Sequence, residues 1–356
     1  VATNERDIDV SKRIALVLGS GGARGYAHIG VIDEVVSRGY DIVAISGCSM
    51  GALVGGVFAA GQMDGYREWV SDLAYFDVLK LIDVTWSPLG AMRANKVMDK
   101  LEDLIGDVLL EDLPIPLTTV ATDLNRQREV WFQSGPLLQA IRASIAVPGI
   151  ITPVSLDGQI LVDGGLMNPL PIIPTVSART DLVLAVNATA QSHQPVSLEE
   201  LLPEDEAARE QAREAELEAQ GKGFSKWVRE RAQRMFNGPQ EEDEDSAEVE
   251  EKKDPTNKHK RAAQRAWSKL DIMLASFEIT QGALAKYKIA GYPPDILIEI
   301  PKTVCGAYEF HRADALIRLG RHLAVQALDR YEGRDAVLGE GGQEMVSEPA
   351  TGKPVN

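Results

Sequence analysis

DIVAISGCSMGALVGGVFAA, residues 41–60, is the stretch whose reading decides the fold. An apolar run, Asp41 to Ser46, passes through Gly47-Cys48-Ser49-Met50-Gly51 straight into a second apolar run of helical character. The first run is short and β-branched, as a buried strand would be. Gly47 and Gly51 allow a strand to turn abruptly into a helix, which lifts Ser49 into an exposed, strained position. The helix N-terminus behind it adds partial positive charge and backbone donors where an oxyanion would form. The same stretch mimics a membrane span, because Ile42 to Gln62 carries no charge and Gly47, Gly51 and Gly55 fall at helix-dimer spacing. Its glycines, two serines and glutamine favour a buried strand, sharp turn and buried helix instead.

Working outward, Arg13 to Leu18 (RIALVL) is another apolar run, closed by the glycine cluster Gly19 to Gly25. Tyr26 to Arg38 then places Ile29, Ile32, Val35 and Val36 at helical spacing, and Gly39 ends the helix. Two strand–glycine turn–helix units in succession predict an α/β sheet with parallel strands. Further strands are expected at Leu117 to Thr122, Glu129 to Gln133, Gln159 to Val162, Leu182 to Asn187 and Ile296 to Ile300. Asp157-Gly158 has the form of a tight hairpin turn and delivers Asp163-Gly164-Gly165 at the end of a strand. Asp64 to Glu111 reads as mostly helical, interrupted near Ser87-Pro88-Leu89-Gly90.

Gly19-Ser20-Gly21-Gly22-Ala23-Arg24-Gly25 admits three readings. A dinucleotide fingerprint needs glycine where Arg24 stands, and a phosphate loop needs a Gly-Lys-Ser/Thr that is missing. The third is an oxyanion hole built from the amides of Gly21 and Gly22. The serine elbow that follows favours this reading, and Arg24 would suit anchoring a loop carboxylate or a substrate phosphate. Ser49 also needs a base. His193 and His259 flank or sit in an acidic stretch, His311 and His322 lie in a terminal helix-like segment, and His28 suits helix packing. No histidine stands in a catalytic-looking context, so a carboxylate comes into view. Asp163 at a strand end, followed by glycines that permit close approach, is the candidate, provided it sits in a partly desolvated site.

Gly21-Gly22-Ala23-Arg24-Gly25, Gly47-Cys48-Ser49-Met50-Gly51 and Asp163-Gly164-Gly165, in that order, strongly resemble the patatin-like phospholipases. Ala143-Ser144-Ile145-Ala146-Val147-Pro148-Gly149 and Asn168-Pro169-Leu170-Pro171 are similar to two further segments of that family. The most similar branch is the bacterial one related to neuropathy target esterase, and no fused outer-membrane barrel pattern follows. The resemblance covers Lys12 to about Ala188 and resumes weakly from Asp295 to Ala324. It implies an α/β three-layer sandwich with a mainly parallel central sheet. It implies a Ser49–Asp163 dyad rather than a triad, and an oxyanion hole in the glycine-rich loop, Gly21, Gly22, Ala23 and Arg24. It also implies phospholipid or lysophospholipid esters as substrates at a membrane surface.

The 356 residues are 44% hydrophobic, enough for one large core and two domains at most. The expected organisation is one catalytic domain over 12–332, interrupted by an acidic, partly disordered insertion over 193–262 and followed by a loose tail over 333–356. Glu199 to Glu218 is acidic with helical tendency, whereas Gln240 to Glu251 cannot bury apolar surface. Phe224, Trp227, Val228 and Met235 could line a small amphipathic helix, expected to pack on the body. A net charge of −16 argues against nucleic acid as a partner, and Lys252 to Arg265 reads as a charge-balanced solvated segment. Cys48 and Cys305 support no disulfide framework, leaving a reducing compartment or one buried pair. No His, Cys or carboxylate cluster has metal-ligand spacing, so no metal or cofactor is expected. The polar start, VATNERDIDVSKR, shows no signal peptide, though a processed N-terminus stays open. The expected placement is cytoplasmic or peripheral on the membrane, with no transmembrane segment. Two rivals stand beside the hydrolase: a low-activity scaffold docking a basic partner through the acidic insertion, and an acyltransferase using the same dyad.

Overall fold

The computed structural model of the chain describes residues 12–73, 78, 84–87, 90–192, 194–221 and 269–333. The expected strands form, most running one to three residues beyond their sequence bounds. They are β1 (Arg13–Leu18), β2 (Asp41–Cys48), β5 (Leu117–Asp123), β6 (Arg128–Phe132), β9 (Gln159–Asp163), β10 (Leu182–Ala190) and β11 (Ile296–Pro301). With β8 (Val154–Leu156) they make an eight-stranded mixed sheet, ordered β11-β10-β1-β2-β5-β9-β8, with β6 also paired to β5. β11, β10, β1, β2 and β5 are mutually parallel, and β6, β8 and β9 pair antiparallel.

Helices cover both faces, which is why the strand runs are apolar throughout rather than alternating. On one face α1 (Ala27–Ser37), α2 (Met50–Ala59) and α9 (Ala313–Glu332) pack over Ile14, Leu16 and Leu18. On the other, α8 (Lys269–Gly291) brings Ala285 against Val17, Leu170, Ile172 and Ala185. The chain is thus an α/β three-layer sandwich on a largely parallel sheet. Gly39 ends α1 at φ 78°, and Asp157 and Gly158, at φ 48° and 72°, make the β8–β9 hairpin turn.

The interrupted helical region holds α3 (Met63–Ser71), α4 (Asn95–Ile105) and, between them, β3 (Val84–Ser87) and β4 (Gly90–Met92). These two strands pair, and β4 adds the short β7 (Gly149–Ile151), giving a second, three-stranded sheet. At the interruption two strands too short for sequence periodicity to report pair antiparallel, Ser87 opposite Gly90.

One topological detail positions the site. β6 occupies one edge of β5, so β2 and β9 must share the other. β2 pairs with Leu117 to Val120 and ends there, and β9 runs in from the opposite direction to pair with Ala121 to Asp123. The C-terminal ends of β2 and β9 therefore meet over consecutive residues of β5.

Of the acidic stretch, α6 (Leu198–Leu201) and α7 (Glu204–Gly221) are described. Ser197 and Glu200 form a reciprocal capping box that starts α6. Arg312 pairs with Glu199 at 2.6 Å and with Glu210 at 3.5 Å, and Arg318 reaches Glu210 at 3.5 Å. These pairs tie α6 and α7 to α9. The amphipathic candidate Phe224 to Met235, the acidic run Gln240 to Glu251, the basic stretch Lys252 to Arg265 and the tail after Gly333 lie outside the described residues, as do His193, His259 and residues 1–11. Cys48 and Cys305 are both free and buried. No helix among the described residues is long and apolar enough to cross a membrane.

Candidate active site

β2 delivers Cys48, and the next residue, Ser49, takes φ 55° and ψ −121° before α2 begins at Met50. A serine there is strained by about 1–3 kcal/mol and persists only where its surroundings hold it. Gly51 lets this turn lie flat on β1: a Cβ on it would fall 2.0 Å from the Leu18 carbonyl oxygen. Gly47 is equally confined, its missing Cβ lying 2.5 Å from the Gly51 oxygen. The Ser49 amide is spoken for, donating to Ser144 Oγ at 2.9 Å. The Met50 amide heads α2, where a helix has no acceptor of its own to offer.

β9 delivers Asp163, which is fully buried. Its Oδ1 accepts from the Gly165 amide at 2.7 Å and contacts Cys48 Sγ at 4.0 Å. Oδ2 is buried short of full hydrogen-bond geometry with any group among the described residues. Burial raises the Asp163 pKa to about 6, against the opposing pull of the Ser49 hydroxyl and the Gly165 amide. Burial next to Asp163 also drives the Cys48 thiol pKa up, so that side chain stays neutral.

The glycine loop turns through Gly22–Tyr26 as a short 3-10 helix. Gly22 has φ 58°, and a Cβ on it would lie 2.4 Å from the Ala307 oxygen, so only glycine fits. The amides of Gly21 and Gly22 show no hydrogen-bond acceptor among the described residues. The Ala23 amide donates to the Ala307 oxygen at 2.8 Å. That corrects the expectation for Ala23: its N–H is already used in holding the loop. Arg24 is buried, donating to the carbonyls of Lys302 and Cys305 and pairing with Glu278. In place of the expected loop carboxylate or substrate phosphate, Arg24 takes a carboxylate of helix α8 and two loop carbonyls.

Ser49 and Gly22 open on a cleft of about 180 Å³. Its lining is almost wholly apolar, with Met50, Leu53, Val97, Ile145, Ile151 and Phe310 prominent. Tyr26 and Tyr66 also line it. Such a slot suits a hydrocarbon chain with its polar end at the serine. No histidine lines it. His28 is buried with Nε2 2.8 Å from the Gly19 oxygen, and burial lowers its pKa to about 4, which keeps it neutral. His322 contacts Gln326. Among the described residues no cluster of His, Cys or carboxylates could hold a metal ion.

The sequence singles out the segment Ala143 to Gly149 but shows no role for it. In the structure Ser144 and Ala146 touch both halves of the site, since the Asp163 amide donates to the Ala146 oxygen at 2.9 Å. No local signal marks this, because both contacts join residues distant in the chain.

A family model described as patatin-like phospholipase matches residues 16–176. An NTE family protein of Mycobacterium tuberculosis (strain ATCC 25618 / H37Rv) is 41% identical over 351 residues, covering 90% of this chain and 93% of that protein. An NTE family protein of Mycobacterium bovis matches with the same identity and coverage. Neuropathy target esterase sws of Drosophila grimshawi is 36% identical over 166 residues, 44% of this chain and 11% of that protein. Among solved structures, VipD from Legionella pneumophila aligns with a TM-score of 0.46 at 14% identity, over 90% of this chain and 67% of that one.

Proposed function

This chain belongs to the NTE family of patatin-like lipid ester hydrolases, and on that premise we propose that it cleaves fatty-acyl esters of phospholipids or lysophospholipids through a Ser49–Asp163 dyad. The observation that carries the reading is a fully buried carboxylate with its pKa raised to about 6, facing the hydroxyl of a backbone-strained serine at the mouth of an apolar cleft. A base poised near neutrality is what serine activation without histidine requires.

The acyl chain lies in the cleft and the ester carbonyl sits over Ser49. Asp163 Oδ2 takes the Oγ proton as Oγ bonds to the carbonyl carbon, and the Gly21 and Gly22 amides hold the oxyanion. Collapse of that intermediate breaks the ester C–O bond, and the alcohol leaves with the proton from Asp163. Water then gives a proton to Asp163 and attacks the acyl-enzyme, and the proton returns to Ser49 as the fatty acid departs. Residues 12–332 are read as one catalytic unit.

The test is lipid analysis of liposomes incubated with wild type and Ser49→Ala, alongside labelling by a fluorophosphonate. Free fatty acid should appear only with wild type, and the label should map to Ser49. Equal fatty-acid release by Ser49→Ala, or labelling at another residue, would refute the dyad. Transfer of the acyl group to added lysolipid, in place of free acid, would make the chain an acyltransferase.

A further inference from the structure

We propose that Ser144 is a positioning residue for catalysis, the hydroxyl that holds Ser49 in its strained conformation and at its separation from Asp163. This rests on the assignment of Ser49 and Asp163 proposed above and names a third residue on which their geometry depends.

Ser144 is the last residue of α5 (Leu137–Ser144) and is fully buried. Its Oγ does two things at once. It accepts from the Ser49 amide at 2.9 Å and donates to the Val120 carbonyl at 2.7 Å. Val120 is the residue of β5 that pairs with Cys48, and its neighbour Ala121 pairs with Asp163. One hydroxyl therefore ties the residue after β2 to the point on β5 where β2 and β9 meet. Two residues on, the Ala146 carbonyl takes the Asp163 amide at 2.9 Å. A three-residue piece of chain, 144–146, thus holds both members of the dyad by separate bonds.

Two alternatives for the Ser49 amide follow from its position. With no acceptor it would be a buried, unsatisfied donor next to the reacting oxygen. Bonded as it is, it cannot serve the oxyanion, which leaves that work to the glycine loop and the N-terminus of α2. The hydroxyl of Ser144 is also the only group that both accepts from Ser49 and donates to β5 among the described hydrogen bonds, so an alanine there frees two buried partners together. Reacting groups displaced by even an ångström lose large factors in rate.

Steady-state kinetics on a chromogenic acyl ester, with timed fluorophosphonate labelling, test this on Ser144→Ala, Ser144→Thr and Ser144→Cys. Ser144→Ala should lose about 10- to 100-fold in kcat with KM within about threefold, because the apolar cleft keeps its lining. Labelling should slow by a similar factor, and the acidic limb of the rate profile should stay near pH 6, since Asp163 keeps its burial. Ser144→Thr, which keeps the hydroxyl, should recover most of the loss. If Ser144→Ala does not fold, Ser144→Cys, with its weaker donor and acceptor, should show a smaller kcat loss at unchanged KM. A folded Ser144→Ala or Ser144→Cys with wild-type kcat and labelling rate would overturn the proposal while Ser49 remains the labelled residue. Labelling of wild type at another residue would overturn the dyad reading itself, and this role with it.

Discussion

Cys48 and Asp163 end β2 and β9 against the same edge of β5, paired with its consecutive residues Val120 and Ala121. The nucleophile candidate is one residue past the first of these ends and the base candidate is the second. Their proximity is a property of sheet register.

The rate should report the titration of Asp163. The carboxylate must be ionised to accept the Ser49 proton, and burial holds its pKa at about 6. We expect kcat/KM to fall about tenfold per pH unit below that value and to flatten above it. Asp163→Asn should remove the limb along with about 10³-fold or more of the activity. A profile flat from pH 5 to 8 would return the role of base to another group.

The same burial costs stability, and the sign can be worked out. The folded pKa of about 6 lies above the ordinary 3.8, so between them the native state keeps a proton that the unfolded chain has lost. Stability from this group declines as pH rises from about 4 to 6, and the full penalty, on the order of 2–3 kcal/mol, applies above that. Asp163→Asn should therefore be more stable than wild type at pH 7.5 by roughly that amount, and much closer to it at pH 4. His28, with its pKa lowered to about 4, acts in the opposite sense over much the same window, which is why the comparison must be between variants at one pH. Denaturant melts at the two pH values decide it, and an Asn variant less stable than wild type at pH 7.5 would contradict the account.

Gly22→Ala should damage chemistry more than binding. The added methyl meets the Ala307 oxygen, and the φ of 58° is strained for alanine. The loop must shift, taking the Gly21 and Gly22 amides with it. We expect a kcat loss of about 10- to 10³-fold and a stability loss of about 1–3 kcal/mol. Stopped assays and thermal melts on one preparation separate the two effects.

Chain-length preference should change when the cleft is filled. Val97 is half-buried on α4 and lines the slot, so Val97→Trp can narrow it without overpacking the core. KM for a long-chain ester should rise about tenfold, while a butyryl ester stays within about twofold. Equal effects on both would place the acyl chain elsewhere.

Glu210 should matter to the acidic helices and not to turnover. It is buried between Arg312 and Arg318. Removing its charge takes the shared carboxylate from two arginines that keep Glu199, Glu206 and Asp314, a change worth about 1 kcal/mol. Glu210→Gln should speed limited proteolysis within 194–221 at unchanged kcat.

Much of the fold was legible in the chain. RIALVL and DIVAIS read as buried strands because a two-sided sheet needs apolar residues at every position, and Asp157-Gly158 reads as a hairpin because its turn needs positive φ. The β3–β4 hairpin was not legible, since its three- and four-residue strands are too short for a period and β4 is completed by β7 from far along the chain. The site divides in the same way. Gly47, Ser49, Gly51 and the Asp163-Gly164-Gly165 turn announce themselves through residues adjacent in sequence. The partners of Arg24 are not legible in the same way, because Glu278 and the Lys302 and Cys305 carbonyls are distant in the chain.

The sequence by itself determined the local geometry of each piece: the elbow, the glycine loop, the strand ends and the absence of a histidine in a catalytic setting. These are decided by backbone sterics and turn chemistry over a few consecutive residues. Only the tertiary structure decided that Asp163 sits dry enough to titrate near 6, that the Ala23 amide is spent on Ala307, and that Ser144 and Ala146 hold the two catalytic candidates. Those properties depend on burial and on bonds between distant residues, which exist only once β9 has docked beside β2 on the edge of β5.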